Sequence, residues 1–203
     1  MQRLTATLVA EGSSDRTLTP FIEYLLDEYC EIPHVTTFAT DLPSGALVNR
    51  IAEAIRLFPC DMLFVHRDAD RAAAADRERE IFEAAATVAK LKPIAIIPIR
   101  MTEAWLLTDL QAIRRAAGNP SGTVKVALPA LAKLEALPDP KSVLFDALKQ
   151  ASELGPQRLR RFDLFQARRQ VSSFMADFGP LRQVPSFAHL ETQVRDFFAP
   201  SDA

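Results

Sequence analysis

Two aspartates separated by one residue, Asp68 and Asp70, end the run Asp61-Met-Leu-Phe-Val-His-Arg-Asp-Ala-Asp70. In an extended chain the side chains of residues i and i+2 leave the same face, so this spacing aims both carboxylates in one direction. Two hard oxygen ligands arranged in this way can hold Mg²⁺ or Mn²⁺. The same residues admit a plainer reading, with Asp68 as a helix N-cap and Asp70 as a solvated loop residue. Two more carboxylates, Glu11 and Glu103, each stand shortly after another apolar run.

The elements that must position these groups follow from the apolar pattern. Met62 to Val65 has the length and the β-branched and aromatic content of a strand covered on both faces, with Pro59 and Asp61 bounding it. Residues 4–10 read as a first strand that stops at Glu11-Gly-Ser-Ser-Asp15, where Ser13 or Ser14 can cap a helix over 15–29. Phe21, Tyr24, Leu25 and Leu26 give that helix its apolar face. A second strand over 34–39, a turn at 41–45 and a helix over 46–57 lead to the acidic run. Beyond it come an alanine- and glutamate-rich helix over 72–90 and a fourth strand over 93–99, in which Pro98 marks an edge position or a bulge. Thr102 can cap a helix reaching about residue 117, with Glu103 in its first turn. Strand and helix alternate, which predicts an α/β fold with a mostly parallel central sheet flanked by helices. Ligands bind at the carboxyl ends of such strands. If the first and third strands are neighbours, Glu11, Asp68 and Asp70 face one rim, and Glu103 either joins them or serves the dipole of its helix.

After Gly118 no strand pattern returns, and helices are expected over about 129–137, 140–152, 164–178 and 187–198. The chain therefore divides into an α/β region, 1–117, and a helical extension, 118–203. Arg158, Arg160, Arg161, Arg168 and Arg169 concentrate positive charge in the extension. Such a run is a solvated helix face or a phosphate-binding patch. The formal net charge is −2 and the pI near 6.0, so no global positive field points to nucleic acid and any such contact must be local. Cys30 and Cys60 lack metal-ligand spacing and read as buried thiols of a reducing compartment. No apolar stretch is long enough to span a bilayer, and the expected location is cytoplasmic, off the membrane. His66 reads first as a hydrogen-bonded structural residue, Trp105 as core, and His34 and His189 have no companions at ligand spacing. No dinucleotide fingerprint, phosphate loop or Ser-His-Asp order occurs.

Glu11-Gly after the first strand and Asp68-x-Asp70 after the third resemble the TOPRIM domain shared by topoisomerases, primases and overcoming-lysogenization-defect nucleases. More narrowly, Glu11-Gly-Ser-Ser-Asp15, Arg67-Asp-Ala-Asp70, Thr102-Glu-Ala-Trp-Leu-Leu-Thr-Asp109, Leu137-Pro-Asp-Pro-Lys141 and Pro185-Ser-Phe187 together resemble a small TOPRIM-like family of bacterial proteins often associated with anti-phage defence. The resemblance implies a TOPRIM-like Rossmannoid fold and a magnesium- or manganese-dependent phosphoryl-transfer site. Glu11, Asp68 and Asp70 would be its metal ligands, and Glu103 a further ligand or general base. Close carboxylates at surface-like dielectric repel by about 1–4 kcal/mol per pair, which a divalent cation neutralises. Arg67, Arg100, Arg160, Arg161, Arg168 and Arg169 would contact nucleic acid, DNA or RNA. The chain departs from the topoisomerase pattern after Asp70, where Arg-Ala-Ala-Ala-Ala lacks a further acid and glycine. Two readings follow: a metal-dependent nuclease acting as a defence effector, or a non-catalytic subunit that binds a partner such as an ATPase. The intact acidic set weighs for the enzyme.

Overall fold

The computed structural model describes residues 3–69 and 72–199. Four strands, β1 (Leu4–Val9), β2 (His34–Phe38), β3 (Met62–His66) and β4 (Ile94–Ile96), form one parallel sheet in the order β2-β1-β3-β4. The fold class is therefore α/β and Rossmann-like. Every residue of β3 is buried, as its uninterrupted apolar sequence requires, whereas edge strand β2 is half-exposed along its length. Register is set by Thr7 opposite Leu63 and Val9 opposite Val65 on one side of β1, and by Thr7 opposite Thr37 on the other. The Asp61 carboxylate accepts from both the backbone N–H and the hydroxyl of Thr5, each at 2.8 Å, and so prolongs the β1–β3 ladder beyond the first β3 residue. Those two hydrogen bonds hold the Asp61 carboxyl below its ordinary pKa.

The helices of this region are α1 (Thr19–Tyr29), α2 (Leu47–Leu57) and α3 (Ala74–Ala86). One continuous helix was expected from residue 15, but Ser13–Leu18 is a 3-10 turn and the α-helix starts at Thr19. Pro20 explains the change, since its ring tolerates only the first turn of an α-helix. Neither Ser13 nor Ser14 caps; Gly12 takes the cap position and donates its N–H to the Asp15 carboxylate at 2.9 Å.

The chain forms two compact units, residues 1–97 with 188–203 and residues 98–187. The expected division at residue 117 thus differs from the observed one after Ile97, and the end of the chain belongs with the sheet. Helix α4 (Glu103–Leu106) and helix α5 (Leu110–Ala116) replace the single helix expected from Thr102. Asp109 breaks it by capping α5, accepting from the Ala112 N–H at 3.0 Å. Asp139 and Asp163 cap α6 (Pro140–Ser152) and α8 (Leu164–Phe174) in the same way, and the short α7 (Pro156–Leu159) lies between them. Gly122 lies close to three side-chain ends: a Cβ there would stand 2.5 Å from both Arg114 Nη1 and Asn119 Nδ2, so a larger residue would require these side chains to shift.

Helix α9 (Pro185–Phe198) supplies the first unit with a cover for its second sheet edge. Strand β4 is at that edge and stops before Pro98, as the proline demands. The side-chain amide of Gln193 accepts from Ala95 N–H and donates to Ala95 C=O, both at 3.0 Å, so one side chain occupies the place of a fifth strand. Gln193→Ala is expected to lower stability by about 1–3 kcal/mol by leaving both backbone groups without a protein partner. Chemical denaturation checks this; an unchanged midpoint would mean that water replaces the amide at no cost.

Candidate functional site

The parallel order β2-β1-β3-β4 contains one reversal: from β1 the chain steps to β2 on one side and then to β3 on the other. Crevices outside the carboxyl ends of strands at such a reversal are where open α/β sheets bind ligands. Glu11 and Asp68 lie two residues beyond β1 and β3, which pair directly up to Val9 and Val65. The expected adjacency of these two strand ends is therefore observed. Asp70 lies outside the described residues.

The acidic groups at this rim are engaged with cationic and imidazole partners. Arg67 forms an ion pair with Glu11 through Nε and another with Glu80 through Nη1, the latter at 2.6 Å. Arg77 binds the second oxygen of Glu80 at 2.9 Å, which gives a row Glu11, Arg67, Glu80, Arg77 of alternating sign. The guanidinium of Arg67, expected to face a phosphate backbone, is thus held by two carboxylates of its own unit. His66 is 1% exposed, with Nε2 at 3.3 Å from Asp68 and Nδ1 at 3.7 Å from Asp15. Asp68 Oδ1 itself is buried and makes no hydrogen bond among the described residues. Among the described residues its charge faces the His66 imidazole, and the carboxylate oxygen keeps lone pairs able to bind a cation.

Arg50, which the sequence reading passed over, closes the end of β1. Its guanidinium donates to the carbonyls of Ala10 and Glu11, the second at 3.2 Å. A cleft of about 170 Å³ lined by Ala10, Glu11, Gly45, Leu47, Arg50 and Arg67 opens beside it. Asp15, the first residue of the expected helix, instead lies behind His66, fixed by the Gly12 N–H and by the Ser14 hydroxyl at 3.2 Å. Its short spacing from Glu11 was the available signal.

Among the described residues no group of three or more His, Cys, Asp or Glu side chains forms a metal site. Glu103, expected at the rim, lies in the second unit, 3% exposed, in a 2.7 Å ion pair with Arg168 Nε, itself 8% exposed. Arg168 accordingly leaves the expected basic run, because its helix turns it inward while Arg158, Arg160, Arg161 and Arg169 stay exposed. Arg100 also belongs to the second unit and takes a left-handed backbone, φ 67°. Trp105 is core, donating Nε1–H to the Ser186 hydroxyl at 2.9 Å. Cys30 and Cys60 are free and half-buried rather than buried, and desolvation pushes the Cys60 thiol pKa up. No helix among the described residues is long and apolar enough to cross a membrane. Neither a known protein family, nor a curated protein, nor a solved structure matches the chain.

Proposed function

We propose that this chain is a TOPRIM-like, metal-dependent nuclease that hydrolyses phosphodiester bonds of DNA or RNA, acting as a bacterial defence effector. The observation that supports the reading is the pairing of β1 with β3, since Glu11 and Asp68 each follow two residues beyond one of these adjacent strands. The donor set fits Mg²⁺ or Mn²⁺: two hard carboxylates after adjacent strands, with Asp68 Oδ1 buried and lacking a hydrogen bond among the described residues. Glu11 and Asp68 would hold the cation, and Asp70 would be the third ligand. When bound, it would neutralise charge on a phosphodiester and activate water. The remaining work falls to the chain itself. His66 holds Asp68 from the buried side, Asp15 sets the orientation of His66, and Arg50 fixes the backbone from which Glu11 projects.

One observation favours the alternative of a partner-binding subunit, for instance of an ATPase complex. Arg67 already neutralises Glu11, as an internal cation would. Metal titration separates the two readings. If Glu11 and Asp68 bind metal, Mg²⁺ or Mn²⁺ at a hundredfold excess over Kd raises stability by about 2.7 kcal/mol, and Asp68→Asn removes the gain. Equal metal-induced stabilisation of wild type and Asp68→Asn would take Asp68 out of the site. The activity itself is tested with single-stranded DNA, duplex DNA and tRNA, in Mg²⁺, Mn²⁺ or EDTA, alone and with any ATPase encoded beside the gene. Inactivity under all of these conditions would favour the partner-binding subunit.

A further inference from the structure

The second unit carries an aromatic and cationic cluster that the acidic rim does not use. Phe165, in the first turn of α8, is 56% exposed, the most open of the large apolar side chains described. It meets Phe145 of α6 edge to face, ring centroids 5.3 Å apart. The Lys141 ammonium lies over both rings, 5.8 Å from the centroid of Phe145 and 5.4 Å from that of Phe165. Four exposed arginines flank the pair in sequence: Arg158, Arg160 and Arg161 just before α8, and Arg169 one helical turn beyond Phe165. None of them forms an ion pair among the described residues, in contrast to Arg168 on the same helix, which turns inward to Glu103.

Phe165 keeps more than half of its surface open beside Phe145 and Lys141, and an open aromatic ring is a surface on which an unpaired base can stack. Lys141 over the ring and four exposed arginines close by in sequence disfavour an apolar partner, since docking one there would desolvate charge. They suit a polyanion whose own flat faces are available, and a single-stranded nucleic acid has that character: phosphates for the arginines and an unstacked base for the ring. A duplex satisfies the arginines but not the ring, because its base faces are already stacked on each other. We propose that Lys141, Phe145 and Phe165, with Arg160, Arg161 and Arg169, form a stacking platform for single-stranded nucleic acid. This inference rests on the nuclease reading for its biological sense, and names the strand state of that substrate.

Binding is read by fluorescence anisotropy with a labelled 15-nucleotide oligo-dT and with a duplex of the same length, in EDTA, so that cleavage plays no part. Oligo-dT is expected to bind more tightly than the duplex. Phe165→Ala should weaken oligo-dT binding about 5- to 150-fold, the range for one lost stacked base, while Phe165→Tyr restores it. Arg160→Gln with Arg161→Gln should flatten the salt slope by about 1.4, from roughly 0.7 per single-strand phosphate contact. An unchanged Kd in Phe165→Ala would overturn the platform, as would tighter binding of the duplex, no oligonucleotide binding, or preference for an acidic polypeptide such as polyglutamate. The rim is tested apart from this: an Asp68→Asn protein that binds oligo-dT normally keeps the platform even if no cleavage is ever found. Cleavage with binding insensitive to Phe165 rejects the platform alone.

Discussion

Replacing Arg168 with methionine is expected to destabilise the second unit by about 3–5 kcal/mol, because it strands the Glu103 carboxylate in a buried position without its charge partner. That is a large part of the total stability of a domain, commonly about 5–15 kcal/mol. Arginine is suited to such a site, being always charged and able to bind through Nε while its alkyl stem packs. The double variant Glu103→Leu with Arg168→Met should recover most of the loss, since replacing a buried pair by apolar groups of similar volume is often neutral or stabilising. Trp105, the single tryptophan and fully buried in the same unit, reports the transition by fluorescence. Arg160→Gln, on the exposed run, is the control and should move stability by no more than about 0.5 kcal/mol. If the two single substitutions simply add in the double variant, the ion pair contributes no coupling and Glu103 is free for another role.

Glu103 and Arg168 also mark where sequence reasoning reached its limit. Strands β1 to β4 were legible, because runs such as Met62-Leu-Phe-Val and Ile94-Ala-Ile have no other economical burial. The carboxyl rim followed from their order, and Glu11 and Asp68 were found there without any contact being known. Side-chain partnership was not legible, since it is decided by residues far apart in the chain. Glu103 and Arg168 stand 65 positions apart, and each has a sufficient local explanation, a first-turn acid and a member of an arginine run. Arg67 likewise looked like a cation offered to substrate, until Glu11 and Glu80 took its guanidinium. The 3-10 turn before α1 was missed for the opposite reason: Pro20 was visible, but the apolar spacing around it was read as one continuous helix.

Asp68→Asn and Glu11→Gln are expected to lower the rate of phosphodiester cleavage by about a hundredfold or more each, the loss that follows removal of a group stabilising the transition state. The amide substitutions keep the shape and remove the charge, so packing around His66 should persist. Because both groups would serve one cation, the double variant should be little worse than either single, unlike independent sites. Glu103→Gln should behave differently. Its carboxylate is committed to Arg168, so its rate per folded molecule should match the wild type while its stability falls. Arg67→Gln distinguishes the two proposed functions most sharply. If Glu11 binds metal, removing the competing guanidinium should strengthen metal-induced stabilisation; if the row Glu11, Arg67, Glu80, Arg77 is only structural, the same change should lower stability and leave the response to metal unaltered. Single-turnover cleavage paired with thermal shift in Mn²⁺ reads both quantities on the same proteins. Cleavage that survives both Asp68→Asn and Glu11→Gln would place the chemistry elsewhere than this rim.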